Sequence, residues 1–425
     1  MNFSELFPEI DRYWSTEMKP ARLTVGATTA LGIGFCLFAA AHAGSDPGSA
    51  LFWSSFGLQS LILLGYGTSR TTGCIMTERA DRTWDLQRLT PMSSAEFVGG
   101  KLFGAPLFAY FLALCLLPWT LIGAGMARTG EAGNLFWCYA LLSSAAFLSL
   151  SAGLMVSAYA DKAVLGGSPA TAAALMGFMG LQAATFFISA IRKSEVLTYF
   201  GAAVNLKTMA LLSMTAFGFW TLAAARWRIG KDLLEGRRYW RLPAFLGFLT
   251  VYQLGFNQSA PALALALPCF FCYFVAVLNS ETLEHWKRWS LAEGMDWWNE
   301  MPGWISASGS CLILAAAVAL GARSPAESGL PDVRYPFSQL CFILRDVAFL
   351  QWCRFTRSRR PEIMAIVFIA LAYMLPGMLL AAFRAHKEFA SWFYPLPRWP
   401  SVASGAAQAA LAIAVLVRRW KTLAR

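Results

Sequence analysis

The chain of 425 residues is 57% hydrophobic, 14% aromatic and 14% charged, with a mean hydropathy of +0.49. A soluble domain carries about 25% charged residues, so there is too little polar surface to wrap a water-soluble body, and soluble enzymes, disordered chains and collagens are excluded. The formal charge of +11 points to basic loops at one face of a membrane before it points to nucleic acid.

In chain order, Ile10, Tyr13, Trp14 and Met18 recur at helical spacing behind Pro8, with Glu9, Asp11, Arg12 and Glu17 at the other positions. The pattern predicts a short amphipathic helix lying in the membrane interface, its charged residues towards water. The first 21 residues are too polar for a cleavable leader. Apolar runs long enough to span a bilayer follow near 22–43, 51–72, 102–126, 135–160, 170–191 and 206–225. A second set lies near 242–256, 260–279, 304–322, 337–353, 363–383 and 402–417. Of these, 242–256 is short and 337–353 contains Arg345 and Asp346. The expectation is an all-α polytopic membrane protein of about twelve transmembrane helices.

With the N-terminus inside, lysine and arginine favour the inside segments by about three to one, through Arg70–Lys101, Arg226–Arg241, Arg354–Arg360 and Arg418–Arg425. That bias is the positive-inside pattern and predicts two cytoplasmic termini. The cysteines lie mostly in apolar runs, where cysteine packs as a small hydrophobe. Cys269 and Cys272 read C-x-x-C, but they enclose two phenylalanines and have no second pair and no nearby histidine, so no metal site is expected.

The segment after the second run is the most informative. Thr77 to Pro91 is charged, helix-compatible and free of glycine, with Trp84, Leu86 and Leu89 as an apolar edge and Glu78 and Arg82 in the favourable i, i+4 order. Thr90 precedes Pro91, which should stop the helix. Ser93 and Glu96 then fit a capping box, with Met92 and Phe97 at the staple positions, and Lys101 can reach back to the interface. A short surface helix, a turn and a fixed return into the bilayer are expected. On physics alone this is as readily a well-capped loop as a device that transmits force from a soluble partner.

Glu78-Arg79, Thr83-Trp84-Asp85-Leu86, Leu89-Thr90-Pro91-Met92-Ser93, Glu96 and Gly100-Lys101 together resemble the signature of type-2 ABC exporter permeases. One position departs, Asp85 where that family usually carries glutamate. The resemblance implies, over residues 1–241, an N-terminal interfacial helix and six spans. It also implies a coupling helix near 77–91 that docks on a separate ABC ATPase subunit. Glu78, Arg79, Arg82, Trp84, Asp85, Leu86, Leu89, Thr90 and Pro91 would form that interface, and Ser93, Glu96 and Lys101 the cap of the next helix. ATP and Mg would then belong to the partner, with no cofactor in this chain, and the setting would be a bacterial plasma membrane.

Residues 242–425 hold the second six runs. The stretch 280–303, with Glu281, Glu284, Trp286, Lys287, Arg288, Trp289, Trp297 and Trp298, stands where a second coupling helix would. It reads equally as a diverged copy or as a Trp-rich interfacial helix. In the latter case a second permease chain would complete the transporter. Arg354 to Arg360 reads as a basic anchor. The chain has no G-x-x-x-x-G-K-[ST] phosphate loop, so an ATP-driven exporter needs a partner ATPase. The alternatives are an ion-coupled secondary transporter, for which Asp346 is the acidic residue at depth, or a membrane scaffold. Membrane lipids are the other expected partner; nucleic acid is not.

Overall fold

The computed structural model describes residues 8–89, 92–127, 134–159, 196–233, 235, 240–256, 261–278, 282–321, 334–356, 361–382 and 387–424. The protein is all-α and polytopic: among the described residues, seven helices are long and apolar enough to cross a bilayer. The chain divides into two compact units, Met1–Leu197 with Ala203–Gly236, and Thr198–Ala202 with Arg237–Arg425. The expected fifth span, 170–191, lies outside the described residues.

The first unit opens with α1 (Pro8–Glu17) and α2 (Pro20–Ala41). The long α3 (Pro47–Ala80) starts at Asp46, whose side chain accepts from the Ser49 N–H at 3.3 Å, with Pro47 pre-set for the first turn. Its middle, Leu61–Gly67, is π-helical. Just after that stretch Thr68, Thr71 and Thr72 are buried, and Thr68 pairs with Ser149 at 2.6 Å. Next come α4 (Trp84–Arg88), α5 (Ser94–Gly104), α6 (Leu107–Met126), α7 (Leu135–Tyr159) and α8 (Leu206–Asp232). The single span expected over 102–126 is therefore two helices. They part at Ala105–Pro106, where the proline nitrogen has no proton to donate. Phe52, Phe56, Leu64, Ile75, Trp84, Phe97, Leu142, Leu154 and Ile229 form one apolar core. Polar links inside it are satisfied: Tyr139 donates to Gln59 Oε1 at 2.8 Å, and Gln59 donates to the Ala113 carbonyl at 3.1 Å.

A hairpin, β1 (Val196–Tyr199) and β2 (Ala202–Asn205), precedes α8. Its turn places Phe200 (φ 48°) and Gly201 (φ 77°) at positive φ, as a two-residue turn of type I′ demands. Nothing in the apolar pattern predicts it.

The second unit contains α9 (Arg241–Phe256), α10 (Ala266–Leu278, entered through a 3₁₀ turn Pro261–Leu265), α11 (Leu283–Leu291), α12 (Met295–Asn299), α13 (Gly303–Gly321), α14 (Arg334–Arg354), α15 (Pro361–Ala382) and α16 (Trp399–Ala424). Only α15 and α16 of these combine spanning length with high hydropathy. With 16 residues α9 matches the short run at 242–256, whereas α10, with 13, is shorter than the run near 260–279. Cys269, Cys272 and Cys311 lie in the apolar core, with Cys272 and Cys311 sulfurs 3.7 Å apart. Trp286 is buried among Trp304, Phe355 and Trp420.

Candidate functional site

The segment between α3 and α5 is not the continuous helix expected over 77–91. The Thr83 N–H reaches back to the Glu78 carbonyl at 2.9 Å and the Arg82 N–H to the Arg79 carbonyl at 3.3 Å. That is the Schellman closure of α3, and it holds Arg82 at φ 59°. Left-handed backbone ordinarily calls for glycine, so the lack of glycine hid the break. The chain restarts at once as α4, only five residues long. Thr90 and Pro91 lie outside the described residues.

Trp84 was expected to be a partner anchor but is a core residue. It is 6% exposed, edge-on to Phe97 with ring centroids 5.3 Å apart, and covered by the Arg79 guanidinium at 5.2 Å. Burying so large a ring inside its own unit outweighs leaving it in water for a partner. Leu86 and Leu89 remain outside, 68% and 82% exposed, beside exposed Arg82 and Asp85.

Glu78 is likewise not a rim charge. It lies in the last turn of α3, and both its oxygens accept from Lys101 Nζ at 2.6 Å. Arg12 of α1 donates to Glu78 at 2.5 Å and to Glu9 at 2.8 Å, and Lys101 lies 3.4 Å from Glu9. Lys101 is fully buried rather than reaching to the interface. Its ammonium is 4.6 Å from the Phe97 ring centroid, so carboxylates and an aromatic face replace its water. Burial disfavours the charge on Arg12, but the Glu78 hydrogen bond and the charges of Glu9 and Glu78 outweigh it and push its pKa up.

The quartet exists because α1 lies with Glu9, Tyr13 and Glu17 inward and Trp14 exposed; Tyr13 faces in and Asp11 and Arg12 face out as the amphipathic pattern expects, whereas Glu9, Glu17 and Trp14 do not. Gly100 and Gly104 permit this approach. A Cβ on Gly100 would stand 2.4 Å from Glu9 Cβ, and one on Gly104 would stand 2.6 Å from the Tyr13 ring. Glu17, at the other end of α1, pairs with Arg22 and with Arg70 at 2.5 Å. Glycines four apart beside a lysine were a legible hint of close helix packing; the acids on α1 gave no sign of facing inward.

A second set of charges ties the segment to α8. Asp232 bridges Arg79 at 2.9 Å and Arg228 at 2.6 Å, and its carbonyl accepts from Arg88 at 3.0 Å. Glu235 accepts from the Ser94 N–H at 2.7 Å and from its hydroxyl at 2.6 Å, which sets a carboxylate at the positive end of α5. The expected capping box is present: Ser93 Oγ accepts from the Glu96 N–H at 3.3 Å, and Glu96 accepts from the Ser93 N–H at 2.9 Å. Met92 and Phe97 both join the core. Asp232 and Glu235 escaped the sequence reading because they stand in a segment dominated by arginine.

The result is a compact knot in which α1, α3, α5 and α8 are joined by buried or half-buried charges, with Leu86 and Leu89 projecting from it. Comparison of the chain with protein-family models, with curated proteins and with solved structures finds no match.

Proposed function

We propose that this chain is the transmembrane permease subunit of an ATP-driven exporter of the type-2 ABC class, working with a separate ATPase that carries ATP and Mg. The observation that carries this reading is the exposed pair Leu86 and Leu89 on a segment that cannot move alone. Arg79 and Arg88 tie it to α8, Trp84 ties it to the core, and Glu78 ties the end of α3 to α5 and α1. A partner that pushed on the two leucines would move four helices together instead of flexing a loop. Apolar side chains ringed by Arg82 and Asp85 suit a small interface with a charged rim.

In this reading the chain sits in a bacterial plasma membrane with about twelve spans and both termini in the cytoplasm. The second unit is a diverged copy. There α11, capped by Thr282, follows α10 and buries Trp286, much as α4 follows α3 and buries Trp84. The aromatic, nearly uncharged spans suit an amphipathic or lipidic cargo. The ion-coupled alternative would draw on Asp346, yet its carboxylate is fully engaged. Arg345 donates to one oxygen at 2.8 Å, and Tyr273 and Tyr373 donate to the other at 2.6 and 2.9 Å.

The test is co-purification of the full chain with a candidate ABC ATPase subunit, followed by cargo-stimulated ATP turnover. Leu86→Asp with Leu89→Asp should release the ATPase while leaving the thermal midpoint of the permease unchanged. Retention of the ATPase at wild-type level by that double variant would overturn the docking assignment.

A further inference from the structure

The last helix carries a feature that neither the coupling segment nor the transport reading uses. Ala410, Ile413, Ala414, Val417, Arg418, Lys421 and Thr422 recur at helical spacing along one face of α16 and line a groove of about 800 Å³. All seven belong to this one helix, so the groove is open: two alanines leave room beside Ile413 and Val417, and two cations stand at one end. From Ala410 to Lys421 the helix rises about 16 Å, close to half of a hydrocarbon core about 30 Å thick. The groove thus has the length of one leaflet, apolar along its depth and basic at its end.

Neither Arg418 nor Lys421 meets a carboxylate among the described residues, and both are exposed. Two other cations of this unit are engaged: Arg345 with Asp346 and Gln408, and Arg354 with the Ala276 carbonyl at 2.7 Å. Two exposed cations at one end of an apolar groove, with no carboxylate beside them among the described residues, call for an acceptor-rich anion. A second copy of the chain is a poor occupant, because a face-to-face twofold contact would set Arg418 and Lys421 against the same residues of the other copy.

We propose that this groove is a binding site for an anionic phospholipid. Arg418 and Lys421 hold the phosphate, and one acyl chain lies along Ala410, Ile413, Ala414 and Val417.

The experiment uses the full chain in a neutral detergent. Bound phosphatidylglycerol and phosphatidylcholine of matched chain length are titrated and counted by native mass spectrometry. Phosphatidylglycerol should be retained in preference to phosphatidylcholine. Arg418→Gln with Lys421→Gln should weaken its binding about thirtyfold, as two membrane-surface cations would. Arg398→Gln, at the other end of the same helix, should leave it unchanged, and the charge-conserving pair Arg418→Lys with Lys421→Arg should restore it. Equal retention of the two lipids would overturn the proposal, as would equal weakening by Arg398→Gln. Full competition by soluble glycerol phosphate at lipid-like concentration would show that the apolar groove takes no part. A concentration-dependent dimer that dissolves in the Arg418→Gln, Lys421→Gln variant would give the face to a second copy instead.

Discussion

Lys101→Met is the sharpest test of the knot that joins α1, α3 and α5. The substitution keeps the apolar stem and removes a charge that is fully buried and 2.6 Å from both Glu78 oxygens. The four charges Arg12, Lys101, Glu9 and Glu78 are balanced, and losing Lys101 leaves one negative charge in excess. Breaking a buried ion pair from one side costs about 3–5 kcal/mol. Arg12 still reaches Glu78 at 2.5 Å and is itself partly exposed, so the low end, about 3 kcal/mol, is expected. At about 2–4 °C per kcal/mol for a unit of this size, the thermal midpoint should fall by about 6–12 °C. Tryptophan fluorescence of the detergent-purified chain would follow it. Adding Glu78→Gln to Lys101→Met leaves only the balanced pair Arg12 and Glu9, 2.8 Å apart, and should recover about 2 kcal/mol of the loss. A double variant as unstable as Lys101→Met alone would refute the pairing as the source of the effect.

Gly100→Ala should detach α1 without touching its charges, because the new methyl would lie 2.4 Å from Glu9 Cβ. A cost of about 1–3 kcal/mol is expected, read as faster trypsin cleavage at Arg12. Arg82→Gly relieves the positive φ that closes α3 and should raise stability by about 0.5–1 kcal/mol, seen as a higher thermal midpoint. Trp84→Ala should cost about 3–5 kcal/mol, because the ring sits against Phe97 in the core. It should therefore lower the thermal midpoint even when no ATPase is present. Asp346→Asn leaves Arg345 without its carboxylate, and a loss of about 3 kcal/mol in detergent unfolding is expected.

Composition alone was enough to place this chain in a membrane, since a 57% hydrophobic, 14% charged sequence has no soluble solution. Run lengths located α2, α7, α8, α15 and α16, because a spanning helix hydrogen-bonds its own backbone and needs only about 20 apolar residues in a row. The capping box at Ser93 and Glu96 was legible for the same reason: its partners are three residues apart. What the sequence could not decide is every contact whose partner is far along the chain. Glu78 and Arg82 satisfy the helical i, i+4 rule, yet Glu78 pairs with Lys101 and Arg12, and Arg82 closes the helix. Trp84 looked like an anchor for another protein, and the tertiary fold turned it inward onto Phe97. Glu9 and Glu17 looked wet until Arg12, Lys101, Arg22 and Arg70 met them. Local rules are short-ranged and see only the energy of a residue with its neighbours in sequence. A buried charge is tolerated only where distant opposite charges converge on it, and that convergence exists only in the folded chain.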